Sequence, residues 1–169
     1  MIALVVGGGA SGKSAFAEEL VCALAKDGKK RYLATMPDDG PEAEARIARH
    51  RAMRAGKGFE TAECPAALPA AQEGAALLES LSGRLANAMF SEGRADPVRD
   101  ILAELDALAQ GGPLVVVSDD IFSGGENFEG ALAEYADALA ALHRALAARA
   151  ELVVEVVCSV PVVHKGRLP

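Results

Sequence analysis

The chain has 169 residues, of which 51% are hydrophobic and 24% are charged, a composition typical of a folded globular protein and unlike that of a disordered segment. Its formal net charge of −7 argues against a general binder of nucleic acid or of anionic membrane surfaces, because such proteins carry a basic excess. Three widely spaced cysteines, Cys22, Cys64 and Cys158, favour a reducing compartment over a disulfide framework or a zinc site.

The amino-terminal apolar run stops at Gly7 and is not preceded by the basic residues of a secretory signal. No stretch approaches the roughly 18 apolar residues that a transmembrane helix needs. We therefore expect no membrane span and a cytoplasmic location.

Short apolar runs alternate with segments of helical periodicity along the chain. Strands are predicted at residues 2–6, 31–36, 59–62, 75–79, 113–118 and 151–157. Helices are predicted at 13–25, 41–55, a short segment from Pro65, 81–91, 97–109 and 127–149. Such alternation predicts a three-layer α/β domain with a mostly parallel sheet, and no linker divides residues 1–169.

Residues 7–14 read GGGASGKS and match the phosphate-binding pattern G-x-x-x-x-G-K-[ST]. Glycines allow backbone N–H groups to turn toward phosphate oxygens, and the following helix directs its positive end at them. Lys13 can reach the terminal phosphates, and Ser14 can bind magnesium. A chance glycine-rich turn is the alternative, but the position between a strand and a helix favours nucleotide binding. The predicted nucleotide-binding residues here are Gly7, Gly8, Gly9, Ala10, Ser11, Gly12, Lys13 and Ser14.

An acidic partner for the magnesium ion is expected where another buried strand ends. Glu79 closes the strand at 75–79, and Asp119 and Asp120 follow the strand at 113–118. Acids also occur at such places simply because strands meet solvent there.

Six motifs occur in an order that resembles the bifunctional adenosylcobinamide kinase / adenosylcobinamide-phosphate guanylyltransferase family of cobalamin biosynthesis. They are GGGASGKS, YLATM at 32–36, ARIARHR at 45–51, ETAE at 60–63, LLES at 77–80 followed by Asn87, and VPVVHKG near the carboxyl terminus. They span nearly the whole chain, and R-I-x-x-H-R followed by T-x-E is far more specific than the loop. The resemblance implies a P-loop NTPase with a RecA-like, mostly parallel sheet flanked by helices.

The resemblance also implies two linked reactions. Members phosphorylate the aminopropanol hydroxyl of adenosylcobinamide, then transfer GMP from GTP to that phosphate through a guanylylated histidine. By motif position that histidine is His50, and Lys13 is the other predicted catalytic residue. Further nucleotide contacts are implied at Ala34, Thr35, Met36, Arg51, Ala52, Met53, Arg54, Glu63 and Glu79.

Cofactors and partners follow from the same resemblance. The chain is expected to use Mg²⁺, held by Ser14 and Glu79, and GTP, with ATP as an alternative phosphate donor. Its other substrate is expected to be a corrinoid. Family members assemble as trimers, so a homo-oligomer is expected.

The resemblance weakens over residues 118–144. SDDIFSGGEN at 118–127 replaces the family's S-N-E-V-G-x-G-I-V-P, and His143 and Arg144 replace an Asn-Gln pair. Ser80 and Ser82 replace a cysteine and a threonine. From the sequence, His143 and His164 are interpreted as structural or exposed residues.

Two alternatives follow from these departures. The chain could be a single-activity small-molecule kinase, whose activity would survive His50→Ala but not Lys13→Ala. It could also be a non-catalytic nucleotide-binding paralogue, which would bind nucleotide without turnover.

Overall fold

The computed structural model describes residues 1–35, 48, 51–52, 54–71, 73–125 and 127–169. The strands are β1 (Ile2–Gly7), β2 (Lys30–Ala34), β3 (Phe59–Glu63), β4 (Ala75–Leu78), β5 (Leu114–Asp119), β6 (Leu152–Val157) and β7 (Val160–Lys165). The helices are α1 (Lys13–Ala25), α2 (Leu81–Ala86), which continues as a π-helical turn over Asn87–Ser91, α3 (Pro97–Leu108) and α4 (Ala131–Arg149).

The strands form one seven-stranded sheet in the order β3-β2-β4-β5-β1-β6-β7. The pairings from β3 to β6 are parallel, and β7 runs antiparallel to β6. The prediction of a mostly parallel sheet is confirmed. Because parallel strands end at the same edge, the segments that follow β1 to β5 meet there.

Alternate residues of the central strand β1 pack against different helices, as the period of two in a strand requires. Ala3 and Val5 of β1 share a buried cluster with Leu20 and Val21 of α1. Ile2 and Leu4 belong instead to the cluster that includes side chains of α2, α3 and α4, among them Leu85, Ile101, Leu105, Leu139, Leu142 and Leu146. The sheet is therefore covered on both faces, which gives the three predicted layers.

Two predictions of helices are wrong for local steric reasons: one helix does not form, and another begins later than predicted. No helix begins at Pro65; residues 64–71 are irregular. Pro69 disfavours helical geometry at Leu68, which leaves too few residues for a stable turn. α4 begins at Ala131 and not at residue 127, because Gly130 adopts a positive φ of 58° just before it. The predicted helix over 41–55 lies mainly outside the described residues, although Arg51, Ala52 and Arg54 are helical.

Among the residues that the structure describes, no helix combines the length and the apolarity that crossing a membrane requires.

Candidate active site

The loop after β1 is shaped by contacts with the turn between β6 and β7. Gly12 has a φ of 92°, and a Cβ at this position would lie 2.6 Å from Ser159 Oγ. The Ser159 N–H donates to the carbonyl oxygen of Ser11 over 2.7 Å. Glycine is therefore required at residue 12 both by its backbone conformation and by the closeness of the turn.

Lys13 links this loop to the end of β5. Its Nζ donates to the Gly8 carbonyl oxygen over 3.1 Å and lies 2.8 Å from Asp119 Oδ1. Asp119 pairs with Gly7 in the β1–β5 register, and the Asp120 N–H donates to the Gly7 carbonyl oxygen over 2.9 Å. Asp119 is thus an acidic residue in direct contact with the predicted phosphate loop.

Glu79 occupies a different position at the same edge. It follows β4, which is separated from β1 by β5, and its N–H donates to the Leu33 carbonyl oxygen over 3.2 Å. Its side chain is hydrogen-bonded to Tyr32. Burial and, next, the Glu79 carboxylate hold the pKa of Tyr32 well above its usual value. The sequence favoured Glu79 as the acid beside the metal, whereas these contacts favour Asp119.

A chain of hydrogen bonds continues from Asp119 along the edge of the sheet. Ser82 Oγ donates to Asp119 Oδ2 over 2.6 Å and lies 3.0 Å from Ser80 Oγ. Thr35 Oγ1 donates to the Ser80 carbonyl oxygen over 3.2 Å, and Asn87 Nδ2 donates to the Thr35 carbonyl oxygen over 2.7 Å. The chain of contacts connects the loop with the carboxyl end of β2, where Ala34 and Thr35 lie.

An arginine-lined pocket of about 420 Å³ lies beside β3; Arg51, Arg54, Ala55, Gly56, Gly58, Phe59 and Thr61 line it. The Arg54 guanidinium carbon lies 3.3 Å from the centroid of the Tyr32 ring, and its Nη2 donates to Thr61 Oγ1 over 3.4 Å. Arg51 pairs with Glu63 at 3.4 Å. Two of the predicted nucleotide contacts, Arg51 and Arg54, therefore line the pocket, and Arg51 pairs with a third, Glu63.

The segment that carries Arg54 is joined to α1. Lys57 Nζ lies 2.6 Å from Glu18 Oε2, and the Glu18 side chain is 1% exposed. Glu18 belongs to the helix that begins at Lys13, so this ion pair connects the pocket with the helix that follows the phosphate loop.

Three buried side-chain atoms in the described part of the chain lack a hydrogen-bond partner within the protein: Ser11 Oγ, Glu18 Oε1 and Arg54 Nη1. Buried polar atoms normally have partners, so each such atom calls for an explanation. Ser11 and Arg54 were both predicted to contact nucleotide. Each of these two side chains can donate a hydrogen bond.

Most predicted site residues follow the carboxyl ends of neighbouring parallel strands. Glu63 ends β3, Thr35 and Glu79 follow β2 and β4, and the phosphate loop follows β1. Ala52 is exposed on the segment that carries Arg51. Met36, His50 and Met53 lie outside the described residues.

Helix α4 contributes two side chains that sequence reasoning did not assign to the site. The Tyr135 hydroxyl donates to the Ser82 carbonyl oxygen over 3.0 Å, and His143 Nε2 lies 2.7 Å from Ser118 Oγ. Burial and the Asp119 carboxylate raise the pKa of Tyr135 to about 12. Burial lowers the pKa of His143, although the carboxylates of Asp120 and Asp119 oppose this. No sequence signal indicated either contact, because Tyr135 falls on the apolar stripe of this helix and His143 lies next to it.

Comparison with solved structures supports the fold. The ATPase domain of G40P superposes with a TM-score of 0.54 at 10% identity, over 91% of this chain and 68% of that one. The signal recognition particle receptor FtsY from Elizabethkingia anophelis in complex with GDP gives a TM-score of 0.44 at 12% identity, over 91% and 39% of the two chains. The likeness to the ATPase domain shows a P-loop NTPase fold.

Comparison with curated protein sequences gave no match. A family profile described as cobinamide kinase / cobinamide phosphate guanyltransferase matches residues 3–163. The match covers nearly the whole chain, including the divergent stretch at 118–144. The chain therefore belongs to the cobinamide kinase / cobinamide phosphate guanyltransferase family, whose members are nucleotide-dependent transferases of cobalamin biosynthesis.

Proposed function

We propose that the protein phosphorylates adenosylcobinamide and transfers GMP from GTP to adenosylcobinamide phosphate through a guanylylated His50. The observation that supports this most strongly is the placement of the predicted nucleotide contacts. They follow adjacent parallel strands and form one edge of the sheet from β3 to β1. Ligands of open α/β sheets bind at this edge.

The phosphate end of the nucleotide would lie on the loop at 7–14. Backbone N–H groups and the start of α1 supply partial positive charge, and Lys13 supplies a full one. Ser11 Oγ, buried without a protein partner, is available to a phosphate oxygen.

Magnesium fits the residues near Lys13. The hydroxyl of Ser14 and the carboxylate of Asp119 are hard oxygen donors of the kind that Mg²⁺ prefers. Among the described residues there is no cluster of three or more His, Cys, Asp or Glu side chains, so waters and phosphate oxygens would complete the coordination shell. When bound, the ion offsets negative charge on the phosphates as the transfer proceeds.

The remainder of the nucleotide would extend toward the arginine pocket. Arg54 is held in place by Tyr32 and Thr61 while its Nη1 remains unpartnered. Arg51 and Glu63 add a donor and an acceptor on the exposed side. A guanine base has matching acceptors and donors on its edge.

Two transfers would use this arrangement. In the first, the acceptor hydroxyl oxygen attacks the γ-phosphorus, its proton passes to solvent, and the nucleoside diphosphate leaves. In the second, neutral His50 attacks the α-phosphorus of GTP, an N–P bond forms and pyrophosphate leaves. The acceptor phosphate then attacks the same phosphorus, and the N–P bond breaks to release His50.

The direct test is incubation with GTP and Mg²⁺ followed by intact mass spectrometry. We expect a GMP adduct in the natural protein and in His164→Ala, and no adduct in His50→Ala. The control is suitable because His164 lies in β7, where it pairs with Glu155 at 2.9 Å. An adduct that persists in His50→Ala would remove the assigned nucleophile.

A single-activity kinase is the second candidate, favoured by the altered stretch at 118–144. It predicts no adduct, together with phosphoryl transfer that survives His50→Ala and is lost in Lys13→Ala. The homo-oligomer, a trimer in the family resemblance, stays a prediction.

A further inference from the structure

A hydrogen bond from α4 holds the end of β5 and has no part in the proposed chemistry. His143 Nε2 lies 2.7 Å from Ser118 Oγ, and Ser118 is only 1% exposed. The ring of Phe122 packs edge-on against the imidazole, with 5.8 Å between ring centroids. Because water has little access to Ser118, loss of His143 would leave its hydroxyl unsatisfied.

The two residues that follow Ser118 join β5 to the phosphate loop. Asp119 pairs with Lys13 at 2.8 Å, and the Asp120 N–H donates to the Gly7 carbonyl oxygen over 2.9 Å. Asp120 is itself held in a turn, since its carboxylate accepts hydrogen bonds from the Phe122 N–H and the Ser123 hydroxyl. A displacement of Ser118 would therefore move both connections to the loop.

We propose that His143 is a positioning residue of the phosphate site. Its hydrogen bond to Ser118 fixes the carboxyl end of β5, which presents Asp119 to Lys13 and the Asp120 N–H to Gly7. The residue acts through Ser118 and does not touch the nucleotide. Its effect on turnover rests on the proposed function, but its effect on the end of β5 does not.

Substitutions can separate this role from simple space filling. In His143→Gln, the glutamine side chain can place an amide group near the position of Nε2 and keep the hydrogen bond to Ser118. In His143→Leu, the leucine side chain has a bulk similar to that of histidine and cannot form this hydrogen bond. Ser118→Ala removes the same bond from the other side. His164→Leu is the matched control, because it removes an exposed histidine contact on β7.

Amide hydrogen exchange tests the positioning without any need for activity. In His143→Leu and in Ser118→Ala we expect the Asp120 amide to exchange about tenfold faster or more, because the end of β5 opens locally. In His143→Gln and His164→Leu its rate should stay within about twofold of the natural protein. The Val115 amide, near the start of β5, should not change in any variant.

Kinetics provides the second readout. His143→Leu should lower kcat for nucleotide-dependent transfer about tenfold while KM for GTP stays within about threefold, because His143 does not touch the nucleotide in the proposed arrangement. His143→Gln should restore kcat. The double variant with Ser118→Ala should be no slower than His143→Leu alone, since both changes remove one interaction.

Three results would overturn the proposal. The Asp120 amide could stay protected in His143→Leu, or the Val115 amide could exchange faster by the same factor as the Asp120 amide. The third is a double variant in which the kcat losses of His143→Leu and Ser118→Ala add. If His143→Leu does not fold, Ser118→Ala decides by its exchange pattern. A natural protein without transfer activity but with the expected exchange pattern would refute the proposed function and leave the positioning role intact.

Discussion

At the scale of single residues, the proposed phosphate site depends on the contact between Lys13 and Asp119. Their side chains meet at 2.8 Å, and Ser82 donates to the other carboxylate oxygen over 2.6 Å. Glu79 is engaged instead with Tyr32. The two acids therefore have different partners, and under the proposed function they have separable roles: Asp119 beside the phosphates and Glu79 beside the ribose or base.

Isosteric amides distinguish these roles. Asp119→Asn should raise the Mg²⁺ concentration for half-maximal transfer about tenfold or more, because a charged oxygen donor is lost beside Lys13. Glu79→Gln should change it by less than about threefold. The measurement is a Mg²⁺ titration of the transfer rate at saturating GTP. The opposite pattern would show that the sequence-based preference for Glu79 as the metal ligand is correct.

Sequence alone was enough to predict Lys13 and Ser14 as site residues, because the whole phosphate motif lies within eight residues of chain. Through the family resemblance it favoured Glu79 over Asp119, but the residue pattern does not show which strand lies next to β1. Alternating strands and helices indicate a parallel sheet but do not give the strand order. His143 was missed for a related reason: its partner Ser118 is distant in sequence, and an isolated histidine in an alanine-rich helix carries no signal.

At the scale of elements, the turn between β6 and β7 supports the phosphate loop. Cys158 and Ser159 both have positive φ, 49° and 64°, as a two-residue hairpin turn of type I′ requires. Neither cysteine nor serine favours this left-handed conformation. The strand that follows the turn begins with the apolar run VPVV. No strand was predicted over residues 160–165, and no sequence signal indicated the contact of this turn with Ser11 and Gly12.

Glycine at the second turn position should stabilise the protein. Ser159→Gly should raise the free energy of unfolding by about 1 kcal/mol, because the left-handed conformation disfavours a side chain. The N–H that bonds Ser11 is retained, so nucleotide affinity should not change. Urea unfolding measures the effect, and Ser159→Ala, which keeps Cβ but lacks the hydroxyl, should not stabilise. Equal stabilisation by both would assign the effect to the hydroxyl.

At the scale of the whole molecule, several buried or paired groups make stability depend on pH. Burial raises the pKa of Glu92, but hydrogen bonds from Arg84 and Arg94 outweigh it, so the pKa is lowered from 4.5. The pKa of Glu151 is also lowered from 4.5, chiefly by the hydrogen bond that its carboxylate accepts from the Ile2 N–H. Burial lowers the pKa of His143 from 6.5. All three groups bind protons more readily in the unfolded chain than in the folded one.

We therefore expect the free energy of unfolding to fall in two stages as pH decreases. His143 contributes a loss that begins near its unfolded pKa of 6.5, and the carboxylates contribute a second loss below about 4.5, where the unfolded chain takes up protons first. Urea unfolding from pH 8 to pH 3.5 measures both stages. His143→Gln should abolish the upper stage, and Glu92→Gln should reduce the lower one. Stability that rises on acidification would contradict the assigned directions.

The ion pair between Lys57 and Glu18, with Arg54 stacked on Tyr32, has a consequence for affinity. These contacts hold the arginine pocket against α1 by interactions within the protein itself. Binding then does not have to order those side chains, and each immobilised long side chain would otherwise cost about 0.5–1.5 kcal/mol. Since about 1.4 kcal/mol is a factor of ten in Kd, preorganisation of Arg54 alone is worth up to about tenfold in nucleotide affinity under the proposed function.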